Sequence, residues 1–362
     1  MKKKLIALAV SAGVAMPGFA NAVEVAGKAL EVYGQVHVSI DSAKTYETAS
    51  NSVSKLSMSS NSSRLGFKGK GELSPGMTGF YKYEDAISAT NGDNSKLTHR
   101  AAIVGLKGSA GSVAFGYQDT IYKDTFKKFD VMGNSIGDSR NILGAGEGFD
   151  TRAKNGIYYR SPKMGAITLG VGYSTAYEDK SVVEGTGQNN NNNSLVDAVL
   201  AYSTNGLTLA AGYAQHKKVD GTTGETNQTI TGNRLVGGYK TGPMDIRAIY
   251  EHMSNSGAAA TDSYNRNTYG LAFVYKVGGP GSVILQYMKA ATSDAGNDGA
   301  NQVTVGYAYK LAKNAKTYIM YDKISNDANA NFGIGAGHDL KYTNGVAGQD
   351  VSAISVGYVY KF

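Results

Sequence analysis

Apolar and polar positions alternate residue by residue at the end of the chain, where Ile354, Val356, Tyr358, Tyr360 and Phe362 fall on one face and Ser355, Gly357, Val359 and Lys361 on the other. Side chains of an extended strand point to opposite faces in turn, so this is a strand with one greasy and one mostly small or polar surface. Segments of about ten alternating residues recur along the chain. They predict sixteen strands, at 29–40, 62–72, 78–86, 98–107, 112–118, 154–161, 166–175, 195–203, 207–215, 233–240, 244–252, 268–277, 282–291, 301–311, 315–324 and 352–362. In the strands at 62–72 and 244–252 charge takes the face away from the apolar row. Leu65 and Phe67 oppose Arg64, Lys68 and Lys70, and Ile246, Ala248 and Tyr250 oppose Asp245, Arg247 and Glu251.

The connections alternate in length as well. Short ones such as Ser74-Pro75-Gly76, Ser161 to Gly165, Thr241-Gly242-Pro243 and Gly278-Gly279-Pro280-Gly281 are interleaved with long polar ones, including the Asn189–Asn193 tract and residues 325–351. Proline cannot donate to a strand ladder, and Pro75, Pro162, Pro243 and Pro280 all fall in short turns, none within a predicted strand. Short turns on one side and long loops on the other, with an even strand count, are the pattern of a closed membrane barrel. A secreted β-helix, the rival architecture, calls for a short fixed repeat that this chain lacks.

Composition narrows the picture further. Gly (47 residues) and Tyr (25) are abundant, and no apolar run approaches the ~18 residues of a membrane helix. At the start, Lys2, Lys3 and Lys4, the apolar stretch Leu5 to Phe19 and Ala20-Asn21-Ala22 have the form of a secretory signal peptide cut after Ala22. The domain expectation is a signal peptide at 1–22 and one barrel at 23–362. Removing the leader lowers Lys+Arg from 36 to 33 against 29 acids and the net charge from +7 to +4, which does not suggest a nucleic-acid binder. With no cysteine, disulfides and thiolate chemistry are excluded.

A face carrying Arg64, Lys82, Glu84, Arg100, Asp197, Arg234 and Arg247 cannot line a dry core, and about sixteen strands enclose an aqueous channel. Aromatic residues near strand ends suit interfacial girdles. The fold expectation is therefore all-β: a transmembrane antiparallel β-barrel of 16 strands.

Several motifs, in order, resemble those of the Gram-negative general porins in their proteobacterial branch. They are Glu31-Val32-Tyr33-Gly34, Ser62-Ser63-Arg64-Leu65-Gly66-Phe67-Lys68-Gly69, Val104-Gly105-Leu106-Lys107-Gly108, Phe115-Gly116-Tyr117-Gln118-Asp119-Thr120, Ile136-Gly137-Asp138-Ser139-Arg140-Asn141, Arg152 to Pro162 and the terminal strand. The resemblance implies a trimeric outer-membrane diffusion channel for small hydrophilic solutes and ions, without a cofactor. It implies that the third extracellular loop, about 119–153, folds inward as a constriction. Its acids Asp124, Asp130, Asp138 and Glu147 would then face the wall cations Arg64, Lys68, Lys82 and Arg100. Tyr117 stands where the family usually has arginine, which weakens anion preference. Phe362 matches the outer-membrane assembly signal read by the barrel-assembly machinery, and Gly34, Ala101 and Gly105 supply small outward residues for a homotrimer contact. Arg234 and Arg247 stay outside this site.

Other chemistries find little support. Asp327 to Gly333 places glycine one position late for a calcium loop, Gly144 to Gly148 lacks the Lys-Ser/Thr of a phosphate loop, and His37, His99, His216, His252 and His338 show no zinc spacing. No G-x-S-x-G elbow marks a barrel enzyme. A sugar- or anion-specific channel is the functional rival, with Tyr33, Tyr117, Tyr122 and Phe126 as an aromatic slide.

Overall fold

The computed structural model describes residues 23–24, 29–48, 50–90, 98–143, 149–175, 193–219, 226–257, 264–294, 296–339, 342 and 346–362. The leader at 1–22, the Asn189–Asn192 part of the asparagine tract and Glu147 lie outside them. The wall strands are β1 (Glu31–Thr48), β2 (Asn51–Ser60, continued as Arg64–Ser74), β3 (Met77–Ala86), β4 (Thr98–Gly108), β5 (Gly111–Asp119), β6 (Arg152–Arg160), β7 (Ile167–Thr175) and β8 (Ser194–Ser203). They continue as β9 (Leu207–Val219), β10 (Thr226–Thr241), β11 (Met244–Gly257), β12 (Tyr264–Lys276), β13 (Gly281–Ala290), β14 (Ala300–Ala312), β15 (Ala315–Asn326) and β16 (Val351–Lys361). A two-residue strand, Val23–Glu24, pairs with the start of β1.

Each strand pairs antiparallel with the next, and β16 pairs with β1 from Ser352↔Lys44 to Lys361↔Gln35. The sheet thus closes as a barrel of 16 strands. β2 is one wall strand in two pieces, since both pieces pair with β1. The break is local: Ser62 has φ 52°, and Asn61 turns its amide to Ser39 Oγ at 2.8 Å.

One face of the wall is greasy and the other polar. Val104, Leu200, Leu235, Leu271, Val305 and Ile354 are exposed, whereas Asp197, Arg234, Glu251, Thr304, Asp322 and Ser355 are buried on the opposite face. So wide an apolar exterior is stable only against lipid, and the polar interior is what an aqueous lumen requires. Tyr239, Tyr275, Tyr309 and Tyr360 are exposed close to the short-turn ends, at interfacial height.

The alternation located every wall strand but stopped short at the long-loop side. β1 and β2 run on as a ladder to Thr48↔Asn51, over Ser- and Thr-rich residues in which the greasy row fades after Met58 and Leu56. β10 and β11 likewise pair as far as Gln228↔Gly257. Above the bilayer a strand no longer needs a lipid-facing row, so the signal fades while the backbone ladder continues.

Two of the three small residues expected outward face the other way. Ala101 is in register with Glu84 and Gly105 with Phe80, on the lumen side. A bulge between Glu84 and Asp85 puts Arg100 on that side too, where its Nε donates to Glu84.

Candidate functional site

The inward rows of β1 to β4 converge on one carboxylate. Register sets Gly66 opposite both Tyr33 and Glu84, and Lys68 opposite both Glu31 and Lys82. Glu84 accepts from Arg100 Nε at 2.8 Å and from the Tyr33 hydroxyl at 2.8 Å, with Lys82 Nζ at 3.3 Å and Arg64 Nε at 3.8 Å. Lys68 pairs with Glu31 at 3.1 Å, and the Lys68 and Lys82 ammonium groups lie 5.3 and 5.9 Å from the Tyr33 ring centre. The four wall cations are therefore brought together, but with acids between them: Arg64, Lys82 and Arg100 around Glu84, and Lys68 on Glu31. Four positive groups against Glu84 and Glu31 leave the wall positive, with a smaller excess than the cations alone supply.

Residues 119–153 connect β5 and β6 and carry α1 (Lys123–Phe129) and a 3-10 turn, Ser139–Asn141. Their apolar side chains are sequestered: Phe126, Phe129, Met132, Ile136 and Ile142 cluster with Val199, Val236, Ile249, Met288 and Met320 of the wall. Tyr122 and Phe149 form a second cluster with Ala214, Ile230 and Met253.

Polar ties fix the same segment. Tyr122 N–H donates to Asp197 Oδ2 at 2.7 Å, and the Tyr122 hydroxyl donates to Glu251 at 2.9 Å. Arg234 of β10 is fully buried; it donates to both oxygens of Asp150 at 2.7 and 2.8 Å, pairs with Glu251, and stacks 4.4 Å from the Tyr122 ring centre. Burying this guanidinium is tolerable only because two carboxylates satisfy it. Arg247 of β11 sends Nη1 toward the carbonyls of Lys128, Phe129 and Asp130, at 3.2, 3.3 and 2.9 Å, where a helix leaves acceptors unpaired. Farther along, Gln286 of β13 donates to Gly137 O at 2.8 Å, and Asn141 Oδ1 accepts from Gly335 and Ala336.

The segment's own acids are variously engaged. Asp124 pairs with Arg160 of β6 and with Lys127 at 3.0 Å. Asp130 caps Met132 N–H at 3.1 Å. Asp138 is fully enclosed and holds Arg140 in a two-point pair at 2.9 and 2.6 Å. No hydrogen bond or ion pair joins these three to Arg64, Lys68, Lys82 or Arg100. Tyr117 is half-buried beside a backbone irregularity, with Gly116 at φ 122° and the register shifting before Gln118.

Arg234 and Arg247, left outside the site at the level of sequence, make the principal charged ties between wall and segment. Alternation placed both on the lumen face. Their partners, 84 and 117 residues away, give no local signal. Tyr122 and Phe126 are buried in packing, which leaves Tyr33 and Tyr117 of the aromatic slide.

Two further contacts were invisible in sequence. Phe362 meets Gly34 backbone to backbone, closing β16 on β1. Ser59 Oγ lies 3.1 Å from His338 Nδ1, and His338 Nε2 lies 3.2 Å from Asp41 Oδ2. The three residue types suggest a hydrolase relay, yet all three side chains are enclosed and no substrate reaches the serine. The contact fastens the last long loop to the first two strands.

Comparison with known proteins agrees with this architecture. The family model for Gram-negative porins matches residues 7–329. Outer membrane porin protein 32 of Delftia acidovorans is 26% identical over 374 residues, covering 100% of both chains. A monosaccharide porin of Halomonas sp is 26% identical over 378 residues, covering 93% of this chain and 99% of that one. Among solved structures, the anion-selective porin from Comamonas acidovorans superposes with TM-score 0.77 at 24% identity, over 92% of this chain and 99% of that one. A closed barrel with a lipid-compatible exterior, a charged wet interior and this family match has one reading: the chain belongs to the Gram-negative porins, non-catalytic outer-membrane barrels through which small solutes and ions diffuse.

Proposed function

We propose that residues 119–153 lie within the lumen and narrow it, so that solutes pass between this segment and the wall cluster around Glu84. The supporting observation is the set of ties from the segment to inward-facing Arg234, Arg247 and Gln286, on strands far round the barrel from β5 and β6. A segment projecting into the medium would uncover Arg234 to lumenal water and give up its two-point pair with Asp150 and its stacking on Tyr122. The chain has no cysteine, so a Gly137→Cys/Thr304→Cys pair can be read without background. The Cβ position at Gly137 abuts the Thr304 side chain. Efficient cross-linking with conductance retained supports the placement; two free thiols under oxidising conditions refute it.

On this reading the channel is a passive, weakly selective pore for small hydrophilic solutes, tilted toward anions by the surplus of Arg64, Lys68, Lys82 and Arg100 over Glu84 and Glu31. Fixed charges act most strongly where the path narrows, because hydration there is incomplete and screening is weak. Of the segment's acids Asp124, Asp130, Asp138 and Glu147, Asp138 is offset by Arg140 and burial draws Asp130 toward its neutral form, so Asp124 and Glu147 carry most of the opposing charge, and Tyr117 in place of a cation keeps the tilt small. Phe362 serves as the contact that the barrel-assembly machinery recognises. The working form is a homotrimer, resting on the family resemblance; native mass measurement in mild detergent tests it, and monomer alone counts against it.

A further inference from the structure

Between the C-terminal end of α1 and the short turn at Thr204–Gly206 lies a cavity of about 400 Å³. Its floor is a row across four strands set by register: Ser203 opposite Thr208, Thr208 opposite Gly238, and Gly238 opposite Arg247, with Lys240 opposite Asp245 in the next row. Its roof carries Lys127 and Lys128. The lining thus has four cations and one acid, and it lies away from the Glu84 wall.

The charges are not equally engaged. Arg247 is committed to Asp245 and the α1 carbonyls, and Lys127 to Asp119 and Asp124. Lys240 leans on Asp245 at 3.2 Å but is largely exposed. Among the described residues, Lys128 has no partner for its ammonium, and the hydroxyls of Ser203, Thr204 and Thr208 make no side-chain hydrogen bond. The cavity therefore presents spare donors under a positive potential, with its one carboxylate already doubly paired. That surplus suits a compact polyoxygen anion, whose oxygens accept from ammonium and hydroxyl donors together, better than a sugar, which also needs free acceptors. Gly238 keeps the floor open: a Cβ there meets Arg247 Cγ at 3.6 Å and Thr208 Cβ at 3.9 Å, so a larger side chain would occupy the space.

We propose that this cavity is a binding station for phosphate-class anions at the short-turn mouth of the lumen, separate from the constriction. Inorganic phosphate or a small phosphomonoester would be held between Lys128, Lys240 and the Ser203–Thr208 hydroxyls, with a dissociation constant on the order of millimolar, as suits a site that must release what passes. The proposal rests on the lumenal placement of residues 119–153.

The test uses the full-length channel in a neutral phosphatidylcholine bilayer, with inorganic phosphate titrated on the short-turn side at constant ionic strength while chloride current is read. The expected result is a current decrease that saturates. Lys128→Gln with Lys240→Gln should raise the half-effective phosphate concentration about tenfold. Gly238→Val should raise it without changing any charge; chloride current in the absence of phosphate reports that each variant is folded. A decrease that does not saturate, or one that these substitutions leave in place, overturns the station. So does one moved only by Arg64→Gln and Arg100→Gln, which assigns the effect to the constriction. If soluble phosphate has no effect in neutral lipid and block appears only when anionic lipid is added, the anion is a headgroup and the proposal fails. The Gly137–Thr304 cross-link reads the loop placement separately, so a cross-linked channel with no saturable phosphate effect overturns the station alone.

Discussion

Gly34 N–H donates to Phe362 O at 2.9 Å and Phe362 N–H donates to Gly34 O at 3.2 Å, so the last residue and the first wall strand exchange both backbone hydrogen bonds. The Phe362 ring lies over the place where Gly34 has no side chain, and a Cβ there would also sit 2.8 Å from Arg64 O. The seam of the barrel is thus a glycine and an aromatic fitted to each other.

Gly34→Ala is therefore expected to destabilise closure by about 1–3 kcal/mol through overpacking. Phe362→Ala in the same chain should return part of the loss, because the ring is one of the groups displaced. The folded fraction, read as the heat-modifiable gel band after refolding in detergent, checks this; equal loss in the single and double variants would show that the ring is not the obstacle.

Arg247 caps α1 from the wall, and Arg247→Leu leaves three carbonyls without their charged donor. Hydrogen bonds to charged groups contribute about 1.5–3 kcal/mol, so α1 should open more often while the wall stays folded. Amide exchange should accelerate within 123–130 and stay slow in β11. Open-channel current noise is expected to rise with it.

Neutralising Arg64 and Arg100 together should move the reversal potential in a salt gradient toward cations. Glu84→Gln should move it toward anions, as should Tyr117→Arg. The shifts are expected to be on the order of fivefold or less in permeability ratio, since each charge acts across a hydrated path. Unchanged selectivity in all three variants would place the narrow path away from this wall.

Asp130 gives the segment a pH dependence near neutrality. Burial, and then the neighbouring Asp138 carboxylate, raise its acid well above the ordinary carboxylate range. An acid raised in the folded state favours the folded segment fully below its unfolded value, near pH 4, and that contribution is lost as pH rises toward neutrality. Packing of residues 123–143 should therefore loosen between about pH 4 and pH 7, read as faster exchange after correction for the intrinsic pH effect. Asp130→Asn should flatten the profile.

The sixteen wall strands were legible because lipid outside and water inside impose a period of two on every spanning segment, and the turns were legible through Pro75, Pro162, Pro243 and Pro280. The Thr48–Asn51 end of the first hairpin was not, since nothing beyond the bilayer enforces alternation there. Arg64, Lys68, Lys82 and Arg100 could be assigned to the lumen face, but the common partner of Arg64, Lys82 and Arg100 could not be seen: Glu84 sat two residues from Lys82 as one more lumenal charge. The wrong facing assigned to Ala101 and Gly105 has a similar origin, because a single bulge at Arg100 changes the parity of the row and leaves no mark in composition.

By itself the sequence determined that this chain is a barrel, which face meets lipid wherever no bulge shifts the row, and where each spanning strand lies, because these follow from local periodicity and backbone chemistry. Only the tertiary structure decided which charges meet. Whether Arg234 is a free lumenal cation or the buried partner of Asp150 and Glu251 depends on residues far apart in the chain reaching the same few ångströms. An electrostatic pair is set by distance in space, and a closed barrel places in contact residues that no local pattern connects.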